Sequence, residues 1–147
     1  MDVVKTVCIS GGFDPVHVGH LRMIMAAKKI AGIKGKLIII LNSDEWLMRK
    51  KGYVFMPFKE RREILMGFSG VDGVSLVNDK DNTVCEALKR IHPKVFANGG
   101  DRKVGNVPED EVCEALHIKM MYGVGGGKVQ SSSKLAGHPE RSRWRNE

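Results

Sequence analysis

The chain has 147 residues, 42% of them hydrophobic, and carries a formal net charge of +7 at pH 7. This length and apolar content favour a single domain with a core large enough to be stable alone. No apolar run approaches the roughly 20 residues of a membrane span, and the first residues lack the pattern of a signal peptide. We therefore expect a cytoplasmic protein with no membrane segment. The positive charge suits an anionic partner such as a nucleotide or nucleic acid, without choosing between them.

The cysteines and isolated histidines predict no metal centre. The chain has three cysteines, which are Cys8, Cys85 and Cys113. Their odd number, the lack of C-x-x-C spacing and their apolar neighbours indicate buried free thiols. The three histidines outside the N-terminal region are scattered, without metal-ligand spacing. We interpret those histidines as structural or exposed.

The first half of the chain alternates predicted strands and helices. Residues 3–9 form an apolar run typical of a buried parallel strand, and a helical pattern follows from residue 21. Residues 36–41 predict a second buried strand. Residues 45–56 are expected to be a connecting segment, after which Pro57 fits the first position of a helix.

The second half repeats the same alternation. Strands are predicted at 74–77, 94–97 and 118–122, with helices at 84–91 and from Pro108 onwards. The order predicts a Rossmann-like, three-layer α/β/α fold with about five mostly parallel strands and helices on both faces. We expect one domain over residues 1–136 and a basic polar tail over 137–147, which lacks an apolar stripe.

The loop at residues 11–20, between the first strand and helix, is the best candidate for a site. In an open α/β sheet, ligands bind where strands turn into helices. Gly11 and Gly12 allow the backbone to approach a phosphate, and the new helix directs free N–H groups to the same place. His17 and His20, three residues apart, would share a face of the first helical turn and donate to anionic oxygens. Because such rings would serve phosphate oxygens, we expect their loss to leave stability almost unchanged.

The loop fills every fixed position of the motif G-x-F-D-x-x-H-x-G-H and so resembles the nucleotidylyltransferase superfamily. The resemblance covers nearly the whole chain and is greatest to the glycerol-3-phosphate cytidylyltransferases and heptose-phosphate adenylyltransferases. It implies that His17 and His20 are catalytic, and that Phe13, Asp14 and Gly19 join Gly11 and Gly12 in binding the nucleotide.

Three further blocks follow in the family's order. Lys50 and Arg61 stand at family spacing, which implies a catalytic lysine and, with Lys51, contacts to the substrate. Asp101 ends a strand-four Gly-Asp loop and is expected at the ribose or base. The resemblance also implies a group that closes over the triphosphate, namely Lys128, Ser131, Ser132 and Ser133. The cytidylyltransferases place an arginine where this chain has Gly126, and Lys128 is the nearest cation.

The implied reaction transfers a nucleoside monophosphate from a nucleoside triphosphate to a phosphorylated alcohol or sugar, with release of pyrophosphate. CTP is the preferred donor and ATP the second. Mg²⁺ would be held mainly by the nucleotide phosphates and water, without a protein metal site. Family resemblance also implies a homodimer.

Two alternatives remain open. The protein could be an adenylyltransferase acting on a heptose phosphate or nicotinate mononucleotide. A different class would be a non-catalytic module that binds nucleotides or nucleic acid through the basic residues of the tail. The intact histidine pair argues against that module, and we consider nucleic acid an unlikely partner.

Overall fold

The computed structural model of the protein describes residues 4–99, 108–126 and 135. Five strands form one parallel sheet in the order β3-β2-β1-β4-β5. The strands are β1 (Thr6–Gly11), β2 (Lys36–Leu41), β3 (Gly73–Leu76), β4 (Val95–Ala97) and β5 (Lys119–Met121). The helices are α1 (Val18–Ala31), α2 (Asp44–Lys51), α3 (Phe58–Met66), α4 (Cys85–Ile91) and α5 (Pro108–Leu116). The predicted α/β class, with five parallel strands, is confirmed.

The strand order reverses beside β1. The chain adds β2 and β3 on one side of β1 and then crosses to place β4 and β5 on the other. β1 pairs with β4 through Val7 opposite Val95 and Cys8 opposite Phe96. In an open sheet such a reversal opens a crevice at the carboxyl ends of the two central strands. The loop that follows β1 lies at this crevice.

Helices cover both faces of the sheet, as predicted. Alternate residues of β1 point to opposite sides, so Val7 and Ile9 enter one core and Cys8 enters the other. The first core includes side chains of α1 and α3, and the second includes side chains of α4 and α5. The prediction of three buried free thiols is confirmed.

The structure differs from the sequence prediction most clearly at α2 and at the start of β1. The segment predicted as a connection contains α2, which buries only Leu47 and therefore lacks an apolar stripe. Its start is fixed by the Ser43 hydroxyl, which accepts a hydrogen bond from the Trp46 N–H at 3.0 Å. β1 begins at Thr6, so residues 4 and 5 lie outside the strand.

The boundary predicted at residue 136 and the tail at 137–147 lie outside the described residues. Within the described ranges, no helix combines the length and hydrophobicity needed to cross a bilayer.

Candidate active site

The glycine turn after β1 is packed tightly on its neighbours. A Cβ atom on Gly12 would lie 2.9 Å from Cδ2 of Leu47, so glycine permits the close approach of α2. Phe13 has a positive φ of 50° and is 3% exposed, with its ring centroid 4.5 Å from that of His20. The Phe13 ring is therefore part of the core. Any contact that Phe13 makes with a nucleotide has to come from its main chain.

The two histidines form a reciprocal cap at the start of α1. Nδ1 of His17 accepts a hydrogen bond from the Gly19 N–H at 3.1 Å, and Nδ1 of His20 accepts one from the His17 N–H at 3.1 Å. The rings stack with centroids 3.8 Å apart. From the sequence we expect the loss of either ring to leave stability almost unchanged; the cap predicts a measurable loss instead, because losing an N-cap side chain costs about 0.5–2 kcal/mol.

These hydrogen bonds determine where each neutral ring carries its hydrogen. Since both Nδ1 atoms accept, the hydrogen of each neutral imidazole is on Nε2. Burial, followed by the neighbouring charge of His17, lowers the pKa of His20 from 6.5 to about 3. His20 is therefore neutral near pH 7, and its Nε2–H is a donor that carries no fixed positive charge.

Asp14 connects the glycine turn to the segment between α2 and α3. It is 1% exposed, and its carboxylate accepts hydrogen bonds from the N–H groups of Phe55 at 2.7 Å and Met56 at 2.5 Å. The Lys51 ammonium adds an ion pair at 3.3 Å and donates to the Asp14 carbonyl oxygen at 2.7 Å. Asp14 and Lys51 thus bind each other. Through these contacts Asp14 braces the turn, whereas the family resemblance implied that it binds the nucleotide.

Arg61 is fully buried, at 0% exposed, which corrects the prediction of a substrate-facing arginine. Its guanidinium donates to the carbonyl oxygens of Met56 at 2.8 Å, Gly12 at 2.8 Å and Asn42 at 2.9 Å. It also forms an ion pair with Asp44 at 2.6 Å. The spacing that resembled the family therefore identifies a residue that joins three loops.

Of the predicted cations in the described part of the chain, Lys50 remains exposed. It extends from α2, with its ammonium 5.4 Å from the ring centroid of Trp46. The other predicted cation and polar residues, Asp101, Lys128, Ser131, Ser132 and Ser133, lie outside the described residues. The structure thus brings together the glycine turn and the histidine pair, with Lys50 on the adjacent helix.

Sequence reasoning missed a buried polar group beside the site. Asp79, which follows β3, is 4% exposed and accepts hydrogen bonds from the Ser43 N–H at 2.8 Å and the Ser43 hydroxyl at 2.7 Å. It also accepts from the Asn42 side chain at 3.1 Å. The sequence could have indicated this group, because polar residues follow both β2 and β3, and the carboxyl ends of these parallel strands lie at the same edge of the sheet. This group holds the end of β2 in place.

The described residues do not assemble a protein metal site. Across residues 4–99 and 108–126, no three histidine, cysteine or carboxylate side chains are placed to hold an ion. The Asp14 carboxylate, which is the nearest to the turn, already accepts hydrogen bonds from backbone groups and Lys51. A magnesium ion held by the phosphates of a nucleotide and by water would need no further ligand from these residues.

An apolar cleft of about 360 Å³ adjoins the turn on the side of α3. Besides His17, its walls are apolar side chains, including Val18, Leu21 and Phe68. Such walls offer no charge to a phosphate group. We therefore assign no phosphate to this cleft.

Comparisons with known proteins agree with this fold. Residues 8–123 match the family model described as cytidylyltransferase-like. The chain is 32% identical over 100 residues to FAD synthase of Methanothermobacter marburgensis, covering 68% of this chain and 61% of that protein. It is 31% identical over 131 residues to the bifunctional protein HldE of Hyphomonas neptunium, covering 88% of this chain and 24% of that protein.

A solved structure shares the fold. The lipopolysaccharide core biosynthesis protein of Thermoplasma volcanium superposes with a TM-score of 0.65 at 20% identity, covering 80% of this chain and 94% of that one. The sheet order, the glycine turn and the family match all indicate a cytidylyltransferase-like α/β domain. The chain belongs to the cytidylyltransferase-like family. It spans less than two thirds of the length of the M. marburgensis synthase.

Proposed function

We propose that the protein is a nucleotidyltransferase. An oxygen of a phosphate monoester attacks the α-phosphorus of a nucleoside triphosphate, forming a new P–O bond. The bond from the α-phosphorus to the bridging oxygen breaks, and pyrophosphate leaves with its electron pair. The attacking oxygen is already anionic near neutral pH, so the reaction needs positioning and charge stabilisation more than a strong base.

The observation that carries this proposal is the orientation of the histidine pair. Both rings accept backbone hydrogen bonds at Nδ1, which makes Nε2 the donor atom of His17 and His20. They stand at the N-terminus of α1, where the helix dipole favours negative charge. Two preorganised donors beside a helix N-terminus suit the negative charge that develops on the α-phosphate and the bridging oxygen.

ATP is the first donor to test. The FAD synthase relative is named for a product that contains adenosine monophosphate, which favours ATP over the CTP preferred from the sequence. The exposed Lys50 is proposed to approach a phosphate of the nucleotide or of the acceptor. Magnesium would enter with the triphosphate. The proposed acceptor class is a phosphate monoester of a small molecule.

The decisive assay is pyrophosphate release with ATP, CTP, GTP and UTP, each paired with flavin mononucleotide, glycerol 3-phosphate and sugar phosphates. We expect His17→Asn to lower kcat by about 10²–10³-fold, because asparagine can keep the N-cap but lacks the Nε2 donor. His117→Asn is the matched control, since His117 is exposed and has a φ of 59°, which asparagine tolerates.

Two results would contradict the proposal. Wild-type turnover in His17→Asn would remove His17 from the reaction. If nucleotides bind but no pair of substrates releases pyrophosphate, the result would favour the non-catalytic module.

A further inference from the structure

Arg61 is a fully buried charged side chain beside the glycine turn. Four of its hydrogen bonds reach groups on three loops: Gly12 after β1, Asn42 and Asp44 after β2, and Met56 before α3. A guanidinium has five N–H donors in a rigid plane, and an ammonium has three. Four acceptors arranged around one planar group therefore require arginine.

The Gly12 contact links Arg61 to the histidine pair through the backbone. The peptide between Gly12 and Phe13 is trans, so its N–H points away from its C=O. Because Arg61 holds the Gly12 carbonyl oxygen at 2.8 Å, the orientation of the whole peptide plane is fixed. The Phe13 ring that follows packs against His20 at 4.5 Å.

A second set of contacts holds the same region from the other side. The Met56 N–H donates to Asp14, and the Met56 carbonyl oxygen accepts a hydrogen bond from Arg61 Nε–H. The segment before α3 is therefore attached both to the turn and to Arg61. Asp14 immediately follows Phe13 in the turn. Movement of Arg61 would therefore change the support of the turn at Gly12 and at Asp14 together.

We propose that Arg61 is a positioning residue of the nucleotidyl-transfer site, which orients the His17–His20 pair through Gly12 and Phe13 without touching the nucleotide or the acceptor. The proposal rests on the proposed function for its kinetic consequences. Its structural content, the coupling of Arg61 to the histidine rings, can be measured in the free protein.

The test compares Arg61→Lys with Arg62→Lys, which changes the neighbouring exposed arginine of the same helix. In Arg61→Lys, we expect kcat to fall about 10²-fold, because small misplacements of catalytic groups have effects of that size. KM for each substrate should stay within about threefold, since no ground-state contact is lost. Ring-proton NMR signals of His17 and His20 should shift in the free Arg61→Lys protein and not in Arg62→Lys.

Each contrary outcome has a distinct meaning. A tenfold or greater rise in KM for one substrate, with kcat retained, would show direct contact with that substrate and overturn the proposal. Histidine signals that do not move in folded Arg61→Lys would also overturn it. If no substrate pair releases pyrophosphate, the proposed function fails, and the NMR comparison still decides whether Arg61 orients the histidines.

Asp44→Asn keeps the proposal testable if Arg61→Lys does not fold. This change removes the negative charge beside Arg61 but keeps an oxygen acceptor, and the Asp44 side chain is 41% exposed. We expect a smaller fall in kcat and a shift of the same histidine signals. Unchanged histidine signals in this variant would overturn the proposal.

Discussion

We expect the partly buried His20 to make a measurable contribution to the pH dependence of stability. Burial lowers the pKa of His20 to about 3 in the folded protein, whereas the value for an unperturbed histidine is 6.5. Between these two pH values the unfolded chain binds a proton at His20 and the folded chain does not. The contribution of His20 to the unfolding free energy is therefore fully present above about pH 6.5, and it is lost progressively as the pH falls.

The size of the effect follows from the two pKa values. Each pH unit between them corresponds to about 1.4 kcal/mol, so lowering the pH from about 7 to about 5 should cost the wild type about 2 kcal/mol from His20 alone. Other groups also titrate in this range. Their contribution is removed by comparison with His20→Asn, in which asparagine can still accept the hydrogen bond from the His17 N–H but cannot bind the proton.

The assay is urea unfolding followed by circular dichroism at both pH values, for the wild type, His20→Asn and the control His117→Asn. The decrease in unfolding free energy should be about 2 kcal/mol smaller in His20→Asn than in the other two proteins. An equal decrease in all three would refute the reasoning, because it would mean that His20 has an ordinary pKa in the folded state.

Substitutions at Asp14 and Gly125 test two further sets of contacts. Asp14→Ala should lower the unfolding free energy by about 3–5 kcal/mol, because it leaves Lys51 and two backbone N–H groups without their acceptor. Asp14→Asn should lower it less. If urea unfolds Asp14→Ala at the same concentration as the wild type, these bonds do not form in solution. Gly125→Ala should cost about 1–3 kcal/mol more than Gly126→Ala. Both glycines have positive φ, 88° and 87°, but a Cβ on Gly125 would lie 2.8 Å from Cα of Met23 and one on Gly126 meets nothing within 4 Å. Equal melting temperatures for the two variants would contradict this difference.

Local sequence patterns predicted the elements that bury many apolar residues. β2 lies between β3 and β1 and is apolar from Leu37 to Leu41, and the glycine turn occupies the expected strand-to-helix position. α2 was missed because a helix that buries one side chain leaves no apolar periodicity. Its signal was the combination of Ser43 as N-cap and Gly52 after the last turn, where φ is 84°.

The roles of the charged residues were harder to predict because they depend on contacts distant in sequence. Asp14 meets Phe55 across 41 positions, and Arg61 meets Gly12 across 49. A motif gives the spacing of such residues but does not say whether a side chain points inwards. The proximity of the two histidines was predictable, since their spacing on a helix is local, whereas their mutual capping depends on ring orientations that spacing does not specify.

The meeting of β1 with β4 has a consequence for ligand-dependent dynamics. β1, β2 and β3 are consecutive in the sequence and lie together on one side of the sheet, and β4 and β5 follow on the other side, so the sheet contains a seam where Val7 lies opposite Val95. Opening this seam would separate the two halves of the crevice while each half kept its own strand pairing, at less cost than global unfolding.

A ligand that contacts both halves would make this opening rarer, in proportion to its occupancy. The amide hydrogens of residues 95–97 would then exchange more slowly with solvent when such a ligand is bound. If a nucleotide binds at the histidine turn and contacts both halves, slower amide exchange in β4 would therefore report its occupancy, even for a nucleotide that does not react.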